Sequence, residues 1–143
     1  MPDLFQYDSQ WRRLVNKTVA SGYDSLSPEE KVWFNIQVLI QAVDNGGLIS
    51  YYYNSGADML GDCFKALEDL GDETMSHLIL QVNDLFPDGV PTNIEARNQV
   101  IDSWPDDGSV DKFLDPIEKK SSVEARRLEQ LLVRYIEAHG LAT

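Results

Sequence analysis

The chain has 143 residues, of which 24 are Asp or Glu and 12 are Lys or Arg, so its formal net charge at pH 7 is −12 with both histidines neutral. This length and a 43% hydrophobic content suit one domain with a real core and argue against a largely disordered chain. Excess negative charge repels phosphate backbones and anionic lipid, which argues against direct nucleic-acid or membrane-surface binding and favours a basic protein as partner, although solubility is served by the same charge.

In chain order, Trp11, Leu14, Val15, Thr18 and Val19 recur at helical spacing with Arg12, Arg13 and Lys17 off the stripe, which predicts an amphipathic helix closed near Gly22. Ser27-Pro28-Glu29-Glu30 predicts a helix start, with Ser27 as cap, Pro28 at the first position and Glu30 completing a capping box. The helix that follows, with Val32, Trp33, Phe34, Ile36, Val38, Leu39, Ile40 and Val43, is apolar on more than one face and belongs at the centre of the fold. Asn45-Gly46-Gly47 ends it. Residues 48–53, Leu-Ile-Ser-Tyr-Tyr-Tyr, have strand-like content but no second strand to pair with, so a short helix or an extended link packing its tyrosines on the core is expected.

Residues 58–70 and 72–86 predict two further amphipathic helices, and residues 87–91 a turn. Thr92-Asn93-Ile94-Glu95 reads as a second capping box, opening a helix that runs towards Trp104-Pro105. Asp106-Asp107-Gly108 is a turn, and Ser121-Ser122-Val123-Glu124 predicts the start of a C-terminal helix over about 122–139, closed by Gly140. The expectation is an all-α single domain over 1–143, of six or seven helices joined by short turns. The single cysteine, the absence of a basic segment leading into an apolar run at the start, and an apolar run at 36–43 interrupted by Gln37 and Gln41 lead to an expectation of a soluble cytoplasmic protein.

Chemistry-bearing constellations are sparse. His77 and His139 are 62 positions apart, and the one acidic neighbour at helical spacing, Glu73, makes a surface pair with His77 rather than a zinc site. Cys63 shares its face with Leu60, Phe64 and Leu67, as a small buried hydrophobe does. Residues 84–95 have acids at loop positions 1, 5 and 12 and glycine at 6, but Phe86 at position 3 has no side-chain oxygen and two prolines disturb the run, so calcium binding is not expected. No phosphate-binding loop or nucleophile elbow is present. No cofactor, metal or catalytic residue is expected.

The acid pattern remains. Residues 61–118 hold 14 acids and 3 bases, whereas residues 119–143 hold 3 acids and 5 bases. Asp58, Asp62, Lys65 and Asp69 fall on one helical stripe, and carboxylates four residues apart are separated by about 6 Å of helix rise, comparable to neighbouring phosphates on one strand. Asp72, Glu73, Asp84, Asp88, Asp102, Asp106 and Asp107 extend or parallel this row as candidate partner-binding residues, against the plainer reading of a solvated helix face.

The helix from Ser27, then Gly46-Gly47-Leu48, the aromatic run Tyr51-Tyr52-Tyr53, Asn54-Ser55-Gly56, and Ala66-Leu67 closing at Gly71 form a pattern covering about 26–105, continued by Phe86-Pro87 and Ile94-Glu95-Ala96-Arg97. It resembles a bacterial family whose named representative is a DNA mimic. The resemblance implies an all-α fold, a carboxylate-rich surface that occupies the DNA-binding face of a transcriptional regulator, and a homodimer; it transfers no catalytic residue. Two alternatives stand beside it. One is a small-ligand-binding domain or enzyme using the Gly47–Gly56 tyrosine segment with Asp44 and Asn54. The other is a homodimer in which the basic C-terminal helix of one copy meets the acidic surface of another.

Overall fold

The computed structural model describes residues 3–142. The sequence signals become seven α-helices: α1 (Asp8–Ser21), α2 (Pro28–Gly46), α3 (Leu48–Tyr53), α4 (Leu60–Leu70), α5 (Glu73–Asn83), α6 (Ile94–Asp102) and α7 (Ser109–Ala138), with short 3₁₀ turns before α1, between α1 and α2, and between α3 and α4. No strand forms among the described residues. Both arms of the Ser27 capping box are made: Ser27 Oγ accepts from the Glu30 amide at 3.1 Å, and Glu30 Oε1 accepts from the Ser27 amide at 2.9 Å. The α2 helix is central as its apolar faces require, packing against α1, α3, α4 and α7. Its two buried amides are satisfied locally, Gln37 by the Trp33 indole at 2.7 Å and Asn35 through the Lys31 carbonyl and the Tyr23 hydroxyl.

The strand-like Leu48–Tyr53 segment is a helix because charges from elsewhere in the chain meet both of its ends. At its N-terminus the Glu118 carboxylate, carried on α7, accepts from the Leu48 and Ile49 amides, the latter at 2.9 Å, and so supplies partners and a negative charge where the helix dipole favours one. This contact explains Gly47. Its φ is +84°, and a Cβ there would lie 2.3 Å from Glu118 Oε2. Gly56 is required for a similar reason, since a Cβ would stand 2.8 Å from the Tyr51 ring. Tyr51 and Tyr52 are 1% and 0% exposed, and the Tyr52 hydroxyl lies within hydrogen-bond distance of the Ile79 carbonyl (3.1 Å) and the Asn83 side-chain oxygen (2.7 Å).

Two expected helix starts are corrected. Asn93, not Thr92, caps α6: its Oδ1 accepts from the Glu95 and Ala96 amides at 2.8 and 3.1 Å, while the Thr92 carbonyl is held by Arg97. The C-terminal helix begins at Ser109 instead of about residue 122, with Pro116 inside it. Ser121 fails as a cap because it is fully buried within α7 and its hydroxyl donates back to the Glu118 carbonyl at 2.9 Å instead of accepting from an amide ahead of it. Pro116 is tolerated because it and Lys112, whose carbonyl loses its partner, both lie on the exposed side. Arg126 joins α7 to α2 through Asp44 at 2.7 Å, and Glu129 accepts from the Leu4 amide at 3.2 Å.

Glu118→Ala is expected to lower stability by about 2 kcal/mol by leaving the α3 amides unmet, with Glu118→Gln intermediate, both read by urea denaturation. Gly47→Ala should lose more than the Gly22→Ala control, since both positions need a positive φ but only Gly47 also meets a side chain.

Candidate functional site

The sequence-predicted acids divide into inward-held and free groups. Asp58 is not part of a surface row: it lies in the 3₁₀ turn before α4, and its Oδ1 accepts from the buried Arg97 guanidinium at 2.7 Å. All five N–H donors of Arg97 are used, Nε to the Tyr52 carbonyl (2.9 Å), Nη1 to Pro91 and Thr92 carbonyls (3.1 and 3.0 Å), and Nη2 to the Asn54 carbonyl (2.8 Å) and Asp58. Asp62 accepts from the Tyr23 hydroxyl at 2.6 Å. With Asp69 it lines a depression of about 150 Å³ between α2 and α4 that also holds Lys31 and Lys65, so this stripe is mixed in charge.

Asp72 is withdrawn from the surface altogether. It is 0% exposed because it caps α5, Oδ1 accepting from the Met75 amide at 3.0 Å, while Oδ2 has no partner. Burial pushes its carboxyl up to about 6; the Met75 amide opposes that rise and Glu124 of α7 reinforces it, with Arg127 in reach of both carboxylates at 3.4 and 2.8 Å. Asp107 is exposed, but its Oδ1 accepts from the Ser109 hydroxyl and amide at 2.6 and 3.0 Å just before α7, which holds its carboxyl below the ordinary range.

Asp69, Glu73, Asp84, Asp88 and Asp106 are exposed and their carboxylates make no hydrogen bond or ion pair with a described residue, while the Asp102 carboxylate has only a long contact from the Tyr53 hydroxyl at 3.4 Å. The free carboxylates concentrate on one segment. Residues 84–111, comprising the loop before α6, α6 itself and the turn into α7, hold Asp84, Asp88, Glu95, Asp102, Asp106, Asp107 and Asp111, all exposed; the segment's one cation is the buried Arg97. Asp102, Asp106 and Asp111 open onto a common depression of about 350 Å³ beside Trp104 and Pro105. Glu95 and Asp111 were not among the expected binding residues, because Glu95 reads as a capping-box arm and residues 109–120 carry no recognisable helix start.

At the tyrosine segment of the alternative site, most of the expected groups are engaged internally. Tyr51 and Tyr52 are packed shut, and Asp44 is committed to Arg126 through both oxygens at 2.8 and 2.7 Å. The neighbouring shallow depression of about 270 Å³ is bordered by Tyr51 and by Gln41, Asn45, Ser50, Asn54 and Ser55, without a carboxylate. Cys63 is fully buried, which pushes its thiol up to about 12. Among the described residues, no three His, Cys, Asp or Glu side chains converge to hold a metal ion, and no helix is long and apolar enough to cross a membrane.

Arg97→Ala is expected to cost about 3–5 kcal/mol, read by chemical denaturation, because it strands Asp58 and four carbonyls; Arg97→Lys should rescue little, since an ammonium cannot reproduce the planar fork. Asp72 titrates higher in the folded than in the unfolded chain. Its contribution to stability is therefore complete below about pH 4 and lost as pH rises through about 6. Asp72→Asn keeps the cap without the charge, so its melting temperature should exceed that of the parent at pH 8 and match it at pH 4.

Neither a curated protein nor a solved structure matches the chain. The model of the family described as DMP19-like protein matches residues 24–139, which takes in α2 through α7 and all of residues 84–111. The chain therefore belongs to the DMP19-like protein family, the DNA-mimic family that its Gly-Gly-Leu and Asn-Ser-Gly pattern resembles.

Proposed function

We propose that this protein acts by binding, not catalysis, and that its acidic edge at residues 84–111 occupies the basic nucleic-acid-binding surface of a cytoplasmic protein such as a transcriptional regulator. The observation that carries this reading is the separation of charge along that edge: seven exposed carboxylates, and a single cation turned inward to hold the backbone. Exposed Asp69 and Glu73 add to the field. Such a surface attracts cationic partners at long range and releases them as salt rises, which is the behaviour of a nucleic-acid competitor. Family membership supports the same reading.

A homodimer driven by the basic face of α7 has less to draw on. Arg126 is paired with Asp44 and Glu129, and Arg127 with Glu124 and Asp72, which leaves Lys119, Lys120 and Arg134 as exposed cations without an ion pair among the described residues.

Immobilised protein exposed to native bacterial extract should retain a basic DNA- or RNA-binding protein at low salt and release it at high salt or on addition of duplex DNA. Recovery of none at low salt counts against the proposal. With the retained partner in hand, Asp84→Asn, Asp88→Asn and Asp106→Asn combined should weaken binding by about tenfold at low salt and flatten its salt dependence, with an unchanged circular dichroism spectrum.

A further inference from the structure

The acidic edge also contains a large apolar groove, which a pure phosphate imitation does not require. It measures about 770 Å³ and runs between the 84–93 loop and α6, lined among others by Leu85, Phe86, Val90, Val100 and Trp104, with Asp88 at its side. Trp104 also borders the acidic depression of Asp102, Asp106 and Asp111, so an apolar slot and an anionic slot adjoin across one indole. Exposed apolar concavities rimmed by polar groups mark binding sites.

The groove is built in advance. Phe86 is 3% exposed, stacked on Tyr52 at 5.6 Å and meeting Trp104 edge-on at 5.6 Å. The Trp104 indole N–H donates to the Leu85 carbonyl at 3.1 Å, fixing the ring against the loop. The loop itself is held from behind by Arg97 through Pro91 and Thr92. An occupant therefore meets walls already ordered, which reduces the entropic cost of binding.

We propose that this groove receives an aliphatic or aromatic side chain from a Lys- and Arg-rich segment of the partner protein, whose cations pair with the flanking carboxylates. The inference rests on the acidic-edge reading and specifies how the edge recognises its partner. Charge complementarity selects the occupant: no exposed Lys or Arg lies in residues 84–111, so a cationic segment is attracted and an acidic one repelled. The anchor contributes apolar burial, which salt does not screen, so binding is expected to keep a residue of affinity where electrostatics have faded.

The test uses the full chain and three synthetic peptides of equal length: a central Leu with Lys/Arg flanks, the same peptide with a central Ser, and the Leu peptide with Glu flanks. Calorimetry should show the basic Leu peptide binding at least about tenfold more tightly than the basic Ser peptide, the preference persisting at high salt, with the Val90 and Val100 methyl resonances shifting. Val100→Ser should shrink the Leu preference; if that variant does not fold, Val90→Ser makes the same test. Equal binding of the two basic peptides overturns the anchor while leaving the acidic-edge reading in place. Binding of neither overturns both. Equal binding of the Glu-flanked Leu peptide overturns the charge selection, and methyl shifts that grow with protein concentration alone assign the groove to a second copy and overturn the proposal.

Discussion

The enclosed guanidinium of Arg97 is the contact on which the arrangement of the family pattern depends. It draws together segments far apart in sequence: the end of α3 through the Tyr52 and Asn54 carbonyls, the following 3₁₀ turn through Asp58, and the loop before α6 through Pro91 and Thr92. Four of its five partner atoms are neutral carbonyls, so its charge is met by oriented dipoles and one half-exposed carboxylate. The Asn-Ser-Gly and Ile-Glu-Ala-Arg stretches of the pattern are thus two sides of one socket. Glu118 is its complement at the other end of α3. A six-residue helix, too short to persist by itself, is held by an anion at its N-terminus and a cation at its C-terminus.

This dependence on remote charges accounts for what the sequence showed and what it concealed. The Ser27 start of α2, its termination at the paired glycines and its central position were legible because capping and amphipathic periodicity act within a few residues. At residues 48–53 a strand was excluded and a short helix was one of two expectations, but the choice between it and an extended link was not legible, because Glu118 and Arg97 lie about 70 and 45 positions away. Ser121-Ser122 imitated a cap because a serine hydroxyl serves equally well a helix start and a back-bond to a carbonyl one turn earlier. Within the candidate site, Asp84, Asp88, Asp102, Asp106 and Asp107 were found as exposed acids. Asp72 was misassigned to the surface and the half-exposed Asp58 to a free row, since composition treats every carboxylate as solvated and cannot register that one is paired with a buried arginine and another caps a helix from inside the core.

Charge is therefore sorted by the fold, not merely carried by it. The basic residues of α7 are partly spent in tying that helix to α2 and to the α4–α5 junction, through Arg126 with Asp44 and Arg127 with Asp72 and Glu124. Within residues 61–118, eleven of the fourteen acids remain exposed, while one of the three cations is enclosed. Each internal use of an arginine removes a positive charge from where it would have neutralised the edge. Structure and surface field are consequently coupled through the same few residues.

The coupling bears on why such a surface is built on a packed helical frame when an acidic tail would supply the same net charge. A disordered acidic segment attracts cations but loses conformational entropy on binding, and it cannot hold carboxylates at fixed separations. Here the carboxylates of the edge sit on a helix, a capped turn and a loop whose carbonyls Arg97 grips from beneath. Their separations are set before any partner arrives. Polynucleotide phosphates likewise project from a regular frame, so a basic protein surface shaped to that frame discriminates between ordered and disordered anions. The interior cation that costs the chain part of its positive charge is thus also what keeps the negative charges in place.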